Sequence, residues 1–453
     1  MTGGSPSTST GPGPGPGPGR PGTGRSWLGR PNRRFGLVSA AMVVLVVPVV
    51  LVVLVATRQD DKADSLPAEG PTTTAAEAAG PTSGPPEGGA SSAPTNGEPE
   101  EQTTTTAKPA QGPKSITLAF AGDLLPHMPV NNMAEQYGAE SGKPFDYAPM
   151  LAPMAPALGG ADLAICHMEV PLAPPGERVT SYPSFGAPAE LVDGARSAGY
   201  DGCSTASNHS LDRGQAGLAT LLDRFDQQGL QHAGTARTAE EGDGRATRYD
   251  VKGVPVAHLS YAYGFNGYPI PSDAPWSVNE ISADKIKADA ARARAGGAEL
   301  VVVSLHWGTE YDSDPSQYQR DVAGMLVPSP DIDIVIGHHA HVVQPIEEVG
   351  GTYVVFGLGN QLSNMEQAPR RDGLTVVVEA ERHGDRWTVS GIEAVPTWVD
   401  LATFRVLPVV ATMADPATSA NLRNELSGSY DRTVAIVTGS ATPGVTVAPK
   451  PPS

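Results

Sequence analysis

The chain holds a series of short apolar runs, each ending in side chains that can bind a metal or move a proton. ITLAFAGD (116–123) ends in Asp123, and His127 follows four residues later. ADLAIC (161–166) runs into His167 and Glu169, and DGCSTAS (201–207) into Asn208 and His209, with Asp212 three further on. ELVVVSLH (299–306) closes on His306, with Glu310 beyond it. DIDIVIG (331–337) leads to His338, His339 and His341, and TYVVFGLG (352–359) to Asn360. A lone strand-end histidine is usually a structural hydrogen bonder. A succession of such sites, mixing Asp, Glu, Asn and His, is hard to explain that way. Nitrogen and oxygen donors without thiolates suit Mn, Fe or Zn. The set exceeds one tetrahedral shell, so two divalent metal ions are expected.

The elements that must position these residues follow from the same pattern. Helical periodicity fills 188–198, 213–228, 281–295 and 316–327 between the apolar runs. Continuous apolar strands alternating with amphipathic helices predict an α/β fold whose sheets are covered on both sides. In such folds ligands sit at the C-terminal strand edge, where the candidate donors lie. Residues 372–397 read as a hairpin turning at 383–385, and the last dozen residues are expected to fray. Loop 170–187, with Tyr182 and Phe185, and loop 264–280, with Trp276, are expected to wall the pocket. Cys166 and Cys203 read as buried free thiols, with a disulfide as the alternative.

The 453 residues are not all one domain, because 52 Gly and 44 Pro are too many for a compact fold. Residues 1–34 are a Gly/Pro-rich tail with five arginines. Residues 35–57 carry no charge, and a helix of that length spans roughly 34 Å, enough for a lipid bilayer. The arginines before it predict a single-pass signal anchor with a cytoplasmic N-terminus and an extracellular C-terminal domain. Residues 58–114 read as a solvated linker, 115–400 as the α/β domain and 401–453 as a C-terminal extension. The net charge of −18 argues against nucleic acid as a partner.

Six motifs in order, AGD (121–123), HMEVPL (167–172), SNHSLDRG (207–214), HWGTEY (306–311), GHHAHVVQP (337–345) and GLGN (357–360), resemble the CapA family. That family is named for poly-γ-glutamate capsule synthesis and belongs to the calcineurin-like metallophosphatase superfamily. The resemblance implies a four-layer α/ββ/α sandwich of the metallophosphatase type with a dinuclear site. It implies metal ligation by Asp123, His127, Glu169, Asn208, His306, His339 and His341. His209 would serve as the proton donor to a leaving group. Asp212 would either orient His209 or cap the helix near 213. His167, Glu310, His338 and Asn360 would stand behind the ligands. The chain departs from the family pattern in writing Asp-x-x-x-His at 123–127, Glu169 for a bridging Asp, Ser207 for an Asn, His167 for the usual Asn of Asn-x-Glu, and Gln361 where an aromatic commonly follows GLGN.

Two functions follow as expectations. One is metal-dependent hydrolysis or transfer on a phosphoester or an anionic surface polymer. The other is a non-catalytic scaffold that grips a polyanion through its metals and works with polymer synthase or export partners. A domain carrying 22 basic and 40 acidic residues repels a polyanion at long range, so contact must come from metals or a local cation.

Overall fold

The computed structural model describes residues 112–243 and 246–451. The basic tail, the apolar span 35–57 with its expected anchor, and the linker up to residue 111 lie outside the described residues. Among the described residues no helix is long and apolar enough to cross a membrane.

In chain order the strands are β1 (Ser115–Leu124), β2 (Leu163–Met168), β3 (Gly202–Ser204), β4 (Gln231–Ala233), β5 (Thr247–Val251), β6 (Val254–Ala262), β7 (Leu300–His306), β8 (Ile334–His338), β9 (Ile346–Val349), β10 (Thr352–Val355), β11 (Asn360–Leu362), β12 (Asp372–His383), β13 (Arg386–Asp400), β14 (Arg405–Pro408) and β15 (Val445–Val447). They build two mixed sheets in an α/β fold. The first runs β14-β13-β12-β1-β2-β3-β4, with β11 beside β1 and β15 beside β13, and the second runs β5-β6-β7-β8-β10-β9.

Side-chain alternation assigns each strand face. Ile116, Leu118 and Phe120 of β1 meet Val256, Val302 and Ile336 of the other sheet in one buried cluster. Ala119 and Ala121 face the opposite way, toward Leu191 and Leu222 of the helices Glu190–Ala198 and Gly214–Gln228. On β7, Val301, Val303 and Leu305 pack on the helices Ala283–Ala295 and Gln317–Leu326. Both faces of β1 and β7 are therefore buried, which is why these strands read as unbroken apolar runs. Each fully buried Val, Leu or Phe is worth about 1.5–3 kcal/mol. Gly199 and Gly229 end their helices in the left-handed conformation, and a Ser316–Gln319 capping box starts Gln317–Leu326.

Some elements lie where the sequence pattern raises no expectation. The helix Met128–Ser141 buries Val130, Asn131, Ala134 and Gly138, a face too polar and small to show as an apolar stripe. The helix Ala420–Gly439 buries Leu426, Ser429, Thr433 and Val437, with the same result. The C-terminus, expected to fray, instead sets Val445–Val447 parallel to residues 392–394 of β13. Cys166 and Cys203 lie opposite each other on parallel β2 and β3, with Cα atoms 4.4 Å apart, and are joined in a disulfide. The free-thiol expectation is thereby corrected: register, and not proximity in sequence, brings them together.

The topology that matters for chemistry is simple. β1, β2 and β3 are parallel neighbours in one sheet, and β7 and β8 in the other. Register sets Asp123 beside His167, and His306 beside His338. The two packed sheets then bring these four strand ends together.

Candidate metal centre

Asp123 is fixed by the backbone on both sides. Its N–H donates to Gly359 O at 3.0 Å. A Cβ at Gly122 would stand 2.1 Å from that carbonyl, so the close approach requires glycine there. Asp123 Oδ1 lies 3.2 Å from His338 Nδ1, and Oδ2 accepts from the His339 backbone N–H at 3.2 Å. His341 Nδ1 lies 3.3 Å from Asp123 Oδ2 and 3.0 Å from Asn360 Oδ1. Its Nε2 faces Glu169 Oε1 at 3.7 Å, and His306 Nε2 faces the same oxygen at 3.9 Å. His306 Nε2 is also 2.8 Å from Asn208 Oδ1, and His306 Nδ1 is 2.9 Å from His167 Nε2.

Two groups of possible ligands result: Asp123, His167 and His338, and Glu169, His339 and His341. Within each group the ligand atoms lie within 4.8 Å of one another, and all six residues are buried. Both carboxylate oxygens of Glu169, and Nδ1 of His339, are buried without a hydrogen-bond partner among the described residues. A buried carboxylate with no donor is costly unless a cation meets it. The donor chemistry and these orphaned atoms fit a pair of divalent metals. Backbone strain gathers at the same place, since His339, His341, Tyr311 and Asn266 are non-glycine residues with φ of 88°, 56°, 68° and 50°.

The residues singled out from the sequence divide as follows. His167 and His338, expected behind the ligands, stand in the Asp123 group and stack on each other with centroids 4.1 Å apart. Each follows by two residues an isoleucine, Ile165 or Ile336, that packs between the two sheets, so by strand alternation it shares that inward face. His127, expected as a ligand, belongs to neither group: its Nδ1 accepts from Asn364 N–H at 3.3 Å and its ring meets Phe185 edge-on at 5.5 Å. It is the N-cap residue of the helix Met128–Ser141. Asn360 is buried and holds His341 through both side chain and backbone. Glu310 is exposed on the loop after β7.

His209 Nδ1 lies 2.7 Å from Asp212 Oδ2, which also accepts from Phe185 N–H at 2.7 Å. The helix that follows is capped by Arg213 without a side-chain bond, so Asp212 orients His209 and does not cap. Ser207 Oγ donates to the Glu169 carbonyl and accepts from His209 N–H at 3.0 Å, tying this turn to the end of β2. Asn266, unmarked by the sequence reading, accepts from Asn208 Nδ2 at 3.1 Å and reaches His209. Its Asn-Gly dipeptide is the turn signal that could have found it. Of the expected walls, Phe185 packs on His209 at 4.7 Å, whereas Tyr182 is exposed. Trp276 lines a different cleft, of ≈ 830 Å³, with His232, Arg237 and His258. None of the candidate metal ligands lines that cleft, and its Arg237 is already paired with Asp226 and Glu241. Donor geometry therefore locates the chemistry better than cavity size does.

Burial sets the protonation of the centre. It holds His167 and His306 well below the usual imidazole range, and brings His339 down to about 3 and His127 to about 4. It also pushes the Glu169 carboxyl well up, against the pull of His341. For His341 burial is outweighed by the Glu169 and Asp123 carboxylates, which lift it to about 9. The depressed histidines contribute stability that is complete above their ordinary 6.5 and lost as pH falls toward 3–4. Each adds a slope of about 1.4 kcal/mol per pH unit in that window. The contribution of His341 has the opposite sign: it is present below 6.5 and lost as pH rises through 9. Metal-free protein should accordingly melt at a clearly lower temperature at pH 4.5 than at pH 7.5, measured by differential scanning calorimetry. Equal midpoints would contradict neutral buried imidazoles.

A model of the family described as bacterial capsule synthesis protein PGA_cap matches residues 117–365. The PGA biosynthesis protein CapA of Bacillus subtilis is 27% identical over 290 residues, covering 61% of this chain and 71% of the relative. The capsule biosynthesis protein CapA of Bacillus anthracis is 25% identical over 279 residues, covering 60% and 65%. Among solved structures, the calcineurin-like phosphoesterase YfkN from Bacillus subtilis aligns over 71% of this chain and 98% of its own, at 13% identity and a TM-score of 0.39. With more than half of its length matched by the family model, the chain belongs to the bacterial capsule synthesis protein family PGA_cap.

Proposed function

We propose that this chain is a membrane-anchored, extracytoplasmic protein that performs metal-dependent hydrolysis or transfer on an anionic polymer during capsule or poly-γ-glutamate synthesis. The observation that carries the reading is Glu169: a buried carboxylate with both oxygens unpartnered among the described residues, facing His306 and His341 beside a second buried group of donors. Asp123, His167 and His338 would hold one ion, and Glu169, His339 and His341 the other, with Asn208 and His306 adjoining. Such ions supply Lewis acidity and neutralise charge on an attacked phosphoryl or acyl group.

The rest is the work of the chain. Asp212 accepts from His209 Nδ1, which leaves Nε2 as the atom that gives a proton to the leaving group. The Phe185 ring meets the buried His209 ring in a T-shaped contact, with centroids 4.7 Å apart. Asn208 is held between His306 and Asn266, so its amide is oriented before substrate arrives. The direct test incubates metal-loaded protein with a generic phosphoester and with a γ-linked glutamate oligomer. Metal-dependent product release from either is expected. Full metal content with no product from either would leave the non-catalytic scaffold as the better account.

The anchor has its own test. A topology reporter fused after residue 34 should read as cytoplasmic, and one after residue 60 as external. A mature N-terminus between residues 56 and 70 would replace the anchor with a cleaved, secreted form.

A further inference from the structure

Among the described residues Arg370 is a cation without a carboxylate partner, at the edge of the metal centre. It lies on the short helical turn Ala368–Arg371. Its guanidinium carbon stands 3.5 Å from the Tyr311 ring centroid, and that ring lies 6.0 Å from the His341 ring. Among the described residues its guanidinium makes no ion pair or hydrogen bond, so its five donors are free. The next residue behaves quite differently. Arg371 stacks on Trp398, donates to Val399 O and pairs with Glu425, which accounts for it structurally.

A cation over a partly exposed tyrosine is by itself an ordinary surface feature worth about 0.5–1 kcal/mol. Two ties make this one different. The Arg370 carbonyl accepts from Asn360 Nδ2 at 2.9 Å, and Asn360 is the residue that holds His341. The Tyr311 N–H donates at 2.7 Å to the carbonyl of Ala340, between His339 and His341. Tyr311 also keeps a left-handed backbone, which costs a bulky residue free energy and persists only where its surroundings demand it. The arginine and its aromatic platform are thus both hung on the loop that carries the histidines.

We propose that Arg370, seated on Tyr311, is an oxyanion-recognition subsite that holds a charged group of the substrate next to the group engaged at the metal centre. This rests on the anionic-polymer reading above. The guanidinium fork matches a carboxylate or a phosphoryl group through two parallel hydrogen bonds. It also supplies the local cation that a domain of net negative charge needs in order to take hold of an anion. Arg370 is a substrate-positioning residue, and the proton transfer remains with His209.

The test uses full-length protein in detergent, loaded with Mn²⁺, as wild type, Arg370→Gln and Arg370→Lys. Binding is measured for a γ-linked glutamate hexamer, for the same hexamer with its side carboxylates amidated, and for inorganic phosphate. Arg370→Gln should weaken the acidic hexamer roughly 10–100-fold, the worth of a charge-assisted bidentate contact, and leave the amidated hexamer unmoved. Arg370→Lys should recover only part, because a point charge does not reproduce the fork. Metal content should be equal in all three. If Arg370→Gln leaves the acidic hexamer unaffected, or weakens both hexamers alike, the subsite is overturned while the polymer reading stands. If wild type binds neither hexamer, the polymer reading fails. Phosphate then decides: affinity that depends on Arg370 keeps the subsite as a phosphoryl site, and affinity independent of it overturns the subsite as well.

Discussion

Glu169→Gln should release metal from the centre. The carboxylate is fully buried, neither oxygen has a hydrogen-bond partner among the described residues, and the imidazole nitrogens of His341 and His306 stand 3.7 and 3.9 Å from Oε1. Glutamine keeps the volume and removes the charge, so the fold should survive while the ligand is lost. Changing a residue that only supports a ligand costs about 10–100-fold in metal affinity, and Asn360→Ala belongs in that range. Glu169→Gln should exceed it, because it takes away the donor itself. At pH 7 the metal-free variant should melt no lower than metal-free wild type. A carboxyl whose folded pKa is raised contributes stability below its unfolded value and loses it as pH rises, so at neutral pH its removal is not a penalty. Elemental analysis together with calorimetry reads both effects. A variant that retains full metal would show that Glu169 is no ligand.

His209→Ala should have the opposite signature, with metal retained and turnover lost. His209 belongs to neither ligand group, and its Nδ1 is committed to Asp212. Removing a positioned general acid costs roughly 10²–10⁴ in rate. Asp212→Asn should also slow turnover at unchanged metal content, because an amide no longer favours the tautomer that keeps the proton on Nδ1. The Phe185 N–H that Asp212 accepts would lose a charged partner too, so the wall over His209 should loosen in the same variant. If His209→Ala lost metal in proportion to rate, His209 would be a ligand and the division of labour would be wrong.

What could be read from the sequence follows from how each feature is encoded. Strands buried on both faces leave continuous apolar runs, so β1, β7 and β8 and the donors at their ends were visible in ITLAFAGD, ELVVVSLH and DIDIVIG. The places of His167 and His338 depend on which sheet face each projects from, and that requires the register pairing Asp123 with His167 and His306 with His338. His127 stands among the ligands only through the family resemblance, from which its Asp-x-x-x-His spacing departs, and no sequence pattern shows that it caps the helix Met128–Ser141 with its ring against Phe185. Arg370 carries no local signal at all. It sits in an exposed polar stretch and gains its meaning only from Tyr311 and Asn360, 59 and 10 positions away in the chain. The helix Ala420–Gly439 stayed hidden because its buried face mixes Ser and Thr with Leu and Val.

The central claim is that the converging donors hold metal. The measurement is the divalent metal content of full-length wild-type protein, purified without chelator and then dialysed, set beside Glu169→Gln prepared in the same way. The account predicts about two equivalents of Mn, Fe or Zn per wild-type chain, the number a two-ion phosphoesterase-type centre requires, and a clear deficit in the variant. A wild-type chain that stays free of all three after saturation with each, while remaining folded, would contradict it.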